Sequence, residues 1–176
     1  RLTDDDMIVE DFDVSPDGQK ILFTARFENR RNQQNLSEIF LLDLTSGERR
    51  QLTENRAPEQ SPRWAPNGES LAFVAPDIEE WELRQSKIWI MPVETGTARL
   101  AVPDFPGSVQ DFQWGADHNS VLVSAEVRTD ANLFKFDLQA RTWEPVTELK
   151  RRGGRTDFSA ARRATASSFD ARGTPP

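Results

Sequence analysis

Asp11, Asp13, Ser15 and Asp17 stand at alternate positions, as oxygen ligands do in a calcium loop. An EF-hand also needs Gly at its sixth position and Glu at its twelfth. Pro16 and Leu22 stand there, so no metal site is expected. Asp4-Asp5-Asp6 reads as a solvated acidic run. Glu79-Glu80-Trp81-Glu82 reads as a solvated loop with Trp81 folded onto its own module. Such a loop has the chemistry to hold a peptide amino terminus by charge-assisted hydrogen bonds. Arg26, Arg30 and Arg31 have the charge to face a substrate or partner, and read first as solvated loop cations. His118 is the single histidine, and it lies in a turn signal, Asp117-His118-Asn119. His118 therefore reads as a turn residue and not as a catalytic base. Asn35-Leu36-Ser37 matches a glycosylation sequon, a tripeptide that also recurs by chance. Cysteine is absent, which excludes disulfides, thiolate zinc sites and cysteine nucleophiles. The sequence thus assigns no catalytic, cofactor-binding or metal-ligating residue, and no cofactor.

The segments that carry these residues repeat. Asp11-Phe12-Asp13-Val14-Ser15-Pro16-Asp17-Gly18 leads into Ile21-Leu22-Phe23. Ser61-Pro62-Arg63-Trp64-Ala65-Pro66-Asn67-Gly68 leads into Leu71-Ala72-Phe73-Val74. Asp111-Phe112-Gln113-Trp114-Gly115-Ala116-Asp117-His118 leads into Val121-Leu122-Val123. Each phrase reads as a strand, a tight turn and a second apolar strand. Asp-Gly and Asn-Gly are strong hairpin signals because both residues tolerate a left-handed backbone. In the third repeat Asn119 is expected to take the left-handed position.

Each repeat continues with two more strands. These are Ile39–Leu44 and Arg50–Thr53, then Lys87–Val93 and Ala98–Leu100, then Leu133–Leu138 and Trp143–Thr147. Polar loops precede the third strand, from Phe27 to Ser37 and from Pro76 to Ser86, with a shorter one in the third repeat. Pro92 cannot donate to a ladder and is expected at a strand end or bulge. No long segment keeps the apolar spacing of a helix. Four short antiparallel strands per unit, recurring at about 50 residues, is the arithmetic of propeller blades. The fold class is all-β: a partial β-propeller of three four-stranded antiparallel blades, at residues 8–53, 58–101 and 108–147 within a propeller portion 1–148. Trp64, Trp89 and Trp114, taken as recurring at matching positions, are expected to pack between blades. Residues 149–176 read as a degenerate or truncated fourth blade with a flexible basic tail. An unclosed ring leaves two outer blade faces, and both are expected to be apolar.

The net charge of −7 is unevenly placed. From Lys150 onward seven cations face two carboxylates, so the tail is about +5 and the body about −12. An acidic body argues against nucleic-acid binding, which needs cations on one face. No apolar run approaches the roughly 18 residues that span a bilayer. Without an initial Met the chain reads as a fragment or processed product.

The Ser-Pro-Asp-Gly and Ala-Pro-Asn-Gly turns, each followed by an apolar strand, resemble the WD40-like PD40 repeats. These occur in TolB proteins and in the amino-terminal propeller of the prolyl oligopeptidase family of serine peptidases. The resemblance covers residues 8–147. The two long loops, Phe23-Thr24-Ala25-Arg26, and Thr156-Asp157-Phe158-Ser159 with Ser167-Ser168-Phe169-Asp170 are similar to the acylaminoacyl-peptidase and dipeptidyl-peptidase-like branch. That resemblance implies a seven- or eight-bladed propeller covering a downstream catalytic α/β-hydrolase domain and restricting access to peptide substrates. The TolB resemblance implies instead a scaffold for protein partners. An α/β-hydrolase needs a Gly-x-Ser-x-Gly elbow and a histidine to take the serine proton. This chain has no such elbow, so no catalytic residue carries over.

Overall fold

The structure, a computed structural model, describes residues 7–27, 37–54, 57–77, 84–128 and 130–147. Twelve strands form three separate four-stranded sheets, each a simple antiparallel meander. The first holds β1 (Ile8–Val14), β2 (Lys20–Arg26), β3 (Glu38–Asp43) and β4 (Arg49–Gln51). The second holds β5 (Gln60–Trp64), β6 (Ser70–Pro76), β7 (Ser86–Pro92) and β8 (Arg99–Leu100). The third holds β9 (Ser108–Trp114), β10 (Ser120–Val127), β11 (Asp130–Asp137) and β12 (Thr142–Thr147). Pro92 ends β7, where its missing N–H is not needed. No described helix is long and apolar enough to cross a membrane.

The repeated turn is one device used three times. Ser15, Ala65 and Gly115 each donate an N–H to the carbonyl of Lys20, Ser70 and Ser120, at 2.8–2.9 Å. Gly18, Gly68 and His118 close the turn onto the carbonyls of Ser15, Ala65 and Gly115, and only this third turn residue is left-handed, at φ of 71°, 72° and 60°. The sequence expectation is corrected on two counts. Asp17 and Asn67 stay right-handed, so each turn is a right-handed pair followed by one left-handed residue. In the third repeat His118, not Asn119, takes the strained position. The adjacent acid does the holding: Asp117 Oδ1 accepts from the N–H of Asn119 and from the N–H and Oγ–H of Ser120.

Two predictions follow from this turn. Gly68→Val should lose about 1–2 kcal/mol, because a β-branched residue at φ 72° is strained although its Cβ would meet nothing closer than 3.7 Å. His118→Gly should gain about 0.5–1 kcal/mol by removing the same strain. Urea midpoints read both, and a neutral result at either site would remove the left-handed assignment there.

The middle strands are apolar on both sides because both of their faces are covered. Leu22, Ile39 and Leu41 of the first blade pack on Trp64, Leu71, Phe73 and Met91 of the second. The opposite face of the second blade, with Ala72, Val74, Ile88 and Ile90, packs on Phe112, Val121, Val123 and Phe136 of the third. Each fully buried side chain of this kind contributes about 1.5–3 kcal/mol, so the seams dominate the stability of the stack. Trp64 and Trp114 end the first strands of their blades and lie in these seams, whereas Trp89 sits on the third strand of its blade and is not their equivalent. Polar ties cross the seams as well. The Arg63 guanidinium meets Asp11 at 3.0 Å, the backbone N–H of Trp64 donates to Asp13 at 2.8 Å, and Arg50 donates to the Val93 carbonyl at 2.8 Å.

The linker into the third blade is built in, not draped over. Phe105 is 2% exposed and lies 4.8–5.5 Å from the ring centres of Phe136, Phe134 and Trp143. The Lys87 ammonium, from the second blade, donates to the carbonyls of Phe105 at 2.6 Å and Gly107 at 3.1 Å and to Gln85 at 2.8 Å.

The outer faces differ from each other, which corrects the expectation that both are apolar. That of the first blade carries Phe12, Val14, Ile21, Phe23, Phe40 and Leu42, in register across β1, β2 and β3. That of the third carries Gln113, Leu122, Lys135 and Glu144 in register across all four strands. Residues 148–176, and with them the proposed fourth blade, lie outside the described residues.

Candidate functional site

The acid series of the first strand is dispersed. Asp11 uses one oxygen on Arg63 and the other on the Phe12 N–H. Asp13 caps the Trp64 N–H across the seam. Ser15 and Asp17 hydrogen-bond each other at 2.6 Å within the turn. These oxygens serve the seam and the turn and do not converge on a common point. Among the described residues no group of three or more His, Asp and Glu has a metal-holding arrangement.

Three turn carboxyls are held below the usual carboxylate range. The Ser15 hydroxyl and then the Gln19 N–H do this for Asp17, the N–H groups of Ser46 and Thr45 for Asp43, and the Ser120 hydroxyl for Asp117. A depressed folded-state value means the unfolded chain binds protons more readily. The stabilisation is therefore complete at neutral pH and is lost as pH falls below about 4 and through the folded values. We expect the urea midpoint to drop between pH 7 and pH 3, and to drop less in Asp17→Asn/Asp43→Asn/Asp117→Asn. An equal drop in the triple variant would assign the acid sensitivity elsewhere.

His118 is a turn residue, and its backbone N–H closes the turn. Arg26 is not on a solvated loop: it ends β2, its side chain is 13% exposed, and it pairs with Glu10 at 3.4 Å. Its Nε and Nη1 are buried without a hydrogen-bond partner. Ser37 of the sequon is buried, so its hydroxyl is not presented at the surface. Asp4–Asp6, Arg30, Arg31, Asn35, Leu36 and Glu79–Glu82 lie outside the described residues.

A cleft of about 340 Å³ opens where the first and second blades diverge. Leu52, Ala57, Phe73, Trp89 and Met91 line it, and Glu59 stands in its wall at 2% exposure. The Glu59 carboxylate accepts from Thr53 Oγ, which in turn accepts the Ile39 N–H at 2.8 Å. Sequence reading missed Glu59, because one acid in a Pro-rich linker carries no sign that it will be buried. A mainly apolar cleft with Glu59 fixed in its wall, and with Glu54 and Thr53 in its lining, can bind a ligand.

No family model matches the chain. It is 25% identical over 143 residues to dipeptidyl-peptidase 5 of Porphyromonas gingivalis, covering 80% of this chain and 21% of that protein. The β-propeller domain of the Trilobed protease from Pyrococcus furiosus superposes with a TM-score of 0.58 at 20% identity, covering 84% of this chain and 44% of that one. TolB from Acinetobacter baumannii superposes with a TM-score of 0.63 at 19% identity, covering 80% and 32%. The chain is a partial β-propeller with peptidase homologues. It spans about a fifth of the length of the curated relatives it matches. The structural likenesses show the propeller fold; the sequence likeness ties this propeller to peptidases.

Proposed function

We propose that this chain is the non-catalytic propeller portion of a serine peptidase, acting as gate and docking surface for peptides that a catalytic α/β-hydrolase domain cleaves. The observation that carries the reading is the match to a dipeptidyl-peptidase across 80% of this chain, although the chain itself has neither a Gly-x-Ser-x-Gly elbow nor a histidine outside its turns. A stack of rigid sheets suits a filter: its faces are spent on one another, and recognition is left to loops and blade ends.

The test has two arms. The purified chain should neither turn over a dipeptidyl reporter nor take up a fluorophosphonate that labels active serines. Deleting the matching segment from the parent peptidase should raise cleavage of long polypeptides relative to the dipeptidyl reporter. Serine labelling of this chain, or an unchanged ratio in the parent, would overturn the proposal. The TolB likeness supports a second reading, a protein-binding scaffold, and a parent reading frame without a hydrolase would favour it.

A further inference from the structure

The two seams of the stack are built on one plan and differ at one place. Trp64 pairs with Leu71 as Trp114 pairs with Val121, which puts the second and third blades in common register. In that register Trp89 stands where Phe134 stands, and Met91 where Phe136 stands. Carrying the β7–β8 pairing on by one residue sets Ala98 opposite Met91, the place that Trp143 holds opposite Phe136. In the third blade Phe134, Phe136 and Trp143 surround the ring of Phe105, which the linker from the second blade inserts. In the second blade Trp89, Met91 and Ala98 line the cleft of about 340 Å³. The linker that enters this seam, residues 52–59, contains no aromatic residue, and Ala57 lines the cleft from its side. The cleft therefore lies where the next seam holds a phenyl ring.

From this correspondence we infer that the cleft binds a small uncharged aromatic molecule, one benzene ring with a short side chain. The inference uses the packing of the seams alone and does not depend on the peptidase reading. Phe73 and Trp89 supply aromatic surface, and the Trp89 indole is fixed by donating to the Ala75 carbonyl at 3.3 Å. Aromatic rings attract one another at centroid separations of about 4.5–7 Å, as the rings around Phe105 do at 4.8–5.5 Å. Size agrees as well. A closed apolar cavity of about 150 Å³ takes benzene. The cleft, at about 340 Å³, has room for the ring and a short chain. Charge narrows the class further. Thr53 fixes Glu59 in the wall and Glu54 lies in the lining, so an anionic ring would be set against two carboxylates.

The two methionines make the test specific. Met91 lines the cleft, whereas Met7 packs on the far face of the first blade. In the full chain labelled with methyl-¹³C methionine, 2-phenylethanol should shift the Met91 methyl resonance saturably and leave that of Met7 in place. Half-saturation is expected at about 0.1–10 mM, the range open to a ligand of this size. The anion 3-phenylpropanoate should bind at least about 10-fold more weakly. The more apolar 2-cyclohexylethanol should bind no more tightly than the aromatic alcohol, because it lacks the ring–ring attraction. Ala98→Trp gives the first seam the indole that Trp143 gives the second, and it should weaken binding of 2-phenylethanol more than about 10-fold with the Met7 signal unchanged. Ala57→Leu is the filled variant to use should Ala98→Trp fold poorly. A Met91 signal that does not move by about 20 mM 2-phenylethanol, a Met7 shift as large, or undiminished binding in the folded filled variant would overturn the site. Equal binding of the anion, or tighter binding of the cyclohexyl alcohol, would overturn the ligand class.

Discussion

Truncating Phe105 to alanine should cost the protein about 3–5 kcal/mol, a large fraction of the stability of any domain this size. The ring is 2% exposed and touches three other aromatic rings with centroid distances of 4.8–5.5 Å. Its removal leaves a void that two sheets and a linker border, and rigid sheets do not close over a void easily. The third blade should loosen first, because Phe134, Phe136 and Trp143 all lose the same partner. Guanidinium unfolding followed by tryptophan fluorescence reads this, with Phe12→Ala as the comparison. Phe12 is the same residue type on an open face, and its truncation should change the monomer's stability by less than about 1 kcal/mol. Equal losses at the two sites would mean that Phe105 is not the keystone of the second seam.

The second large effect is expected at Lys87. The residue is 7% exposed, and its ammonium donates to two backbone carbonyls and one side-chain amide. Burial pulls its pKa down, and the nearby Asp77 carboxylate offsets part of that. Lys87→Met keeps the apolar stem but strands the Phe105 and Gly107 carbonyls, for a loss of about 2–3 kcal/mol. Lys87 and Phe105 hold one linker, so the double variant should lose less than the two single losses combined. Strict additivity in a double-mutant cycle would separate the peg from the ring and sink this account.

How much of this was legible follows the range of the interactions. The turns were legible because their chemistry is local. An Asp or Asn before the third turn residue, with glycine at that residue in two of the three repeats, marks the same hairpin each time, and the three blades followed from counting these turns. The details inside the third turn were not. Asn119 is the better left-handed residue by type, yet the strand register set by Trp114 and Val121 hands that position to His118. Trp89 was misaligned for a related reason: matching residue type is not matching register, and it pairs with Phe73 on the third strand.

Taken alone, the sequence determined the fold class, the blade number within residues 8–147, the turn positions and the absence of a nucleophile elbow. All of these depend on neighbours within a few residues or on simple alternation along a strand. Only the tertiary structure decided which faces are hidden, that Phe105 and Glu59 are buried from proline-rich linkers, and that one outer face is apolar while the other is polar. Those outcomes depend on surfaces contributed by segments far apart in the chain. A side chain's own type cannot encode what another sheet will place against it.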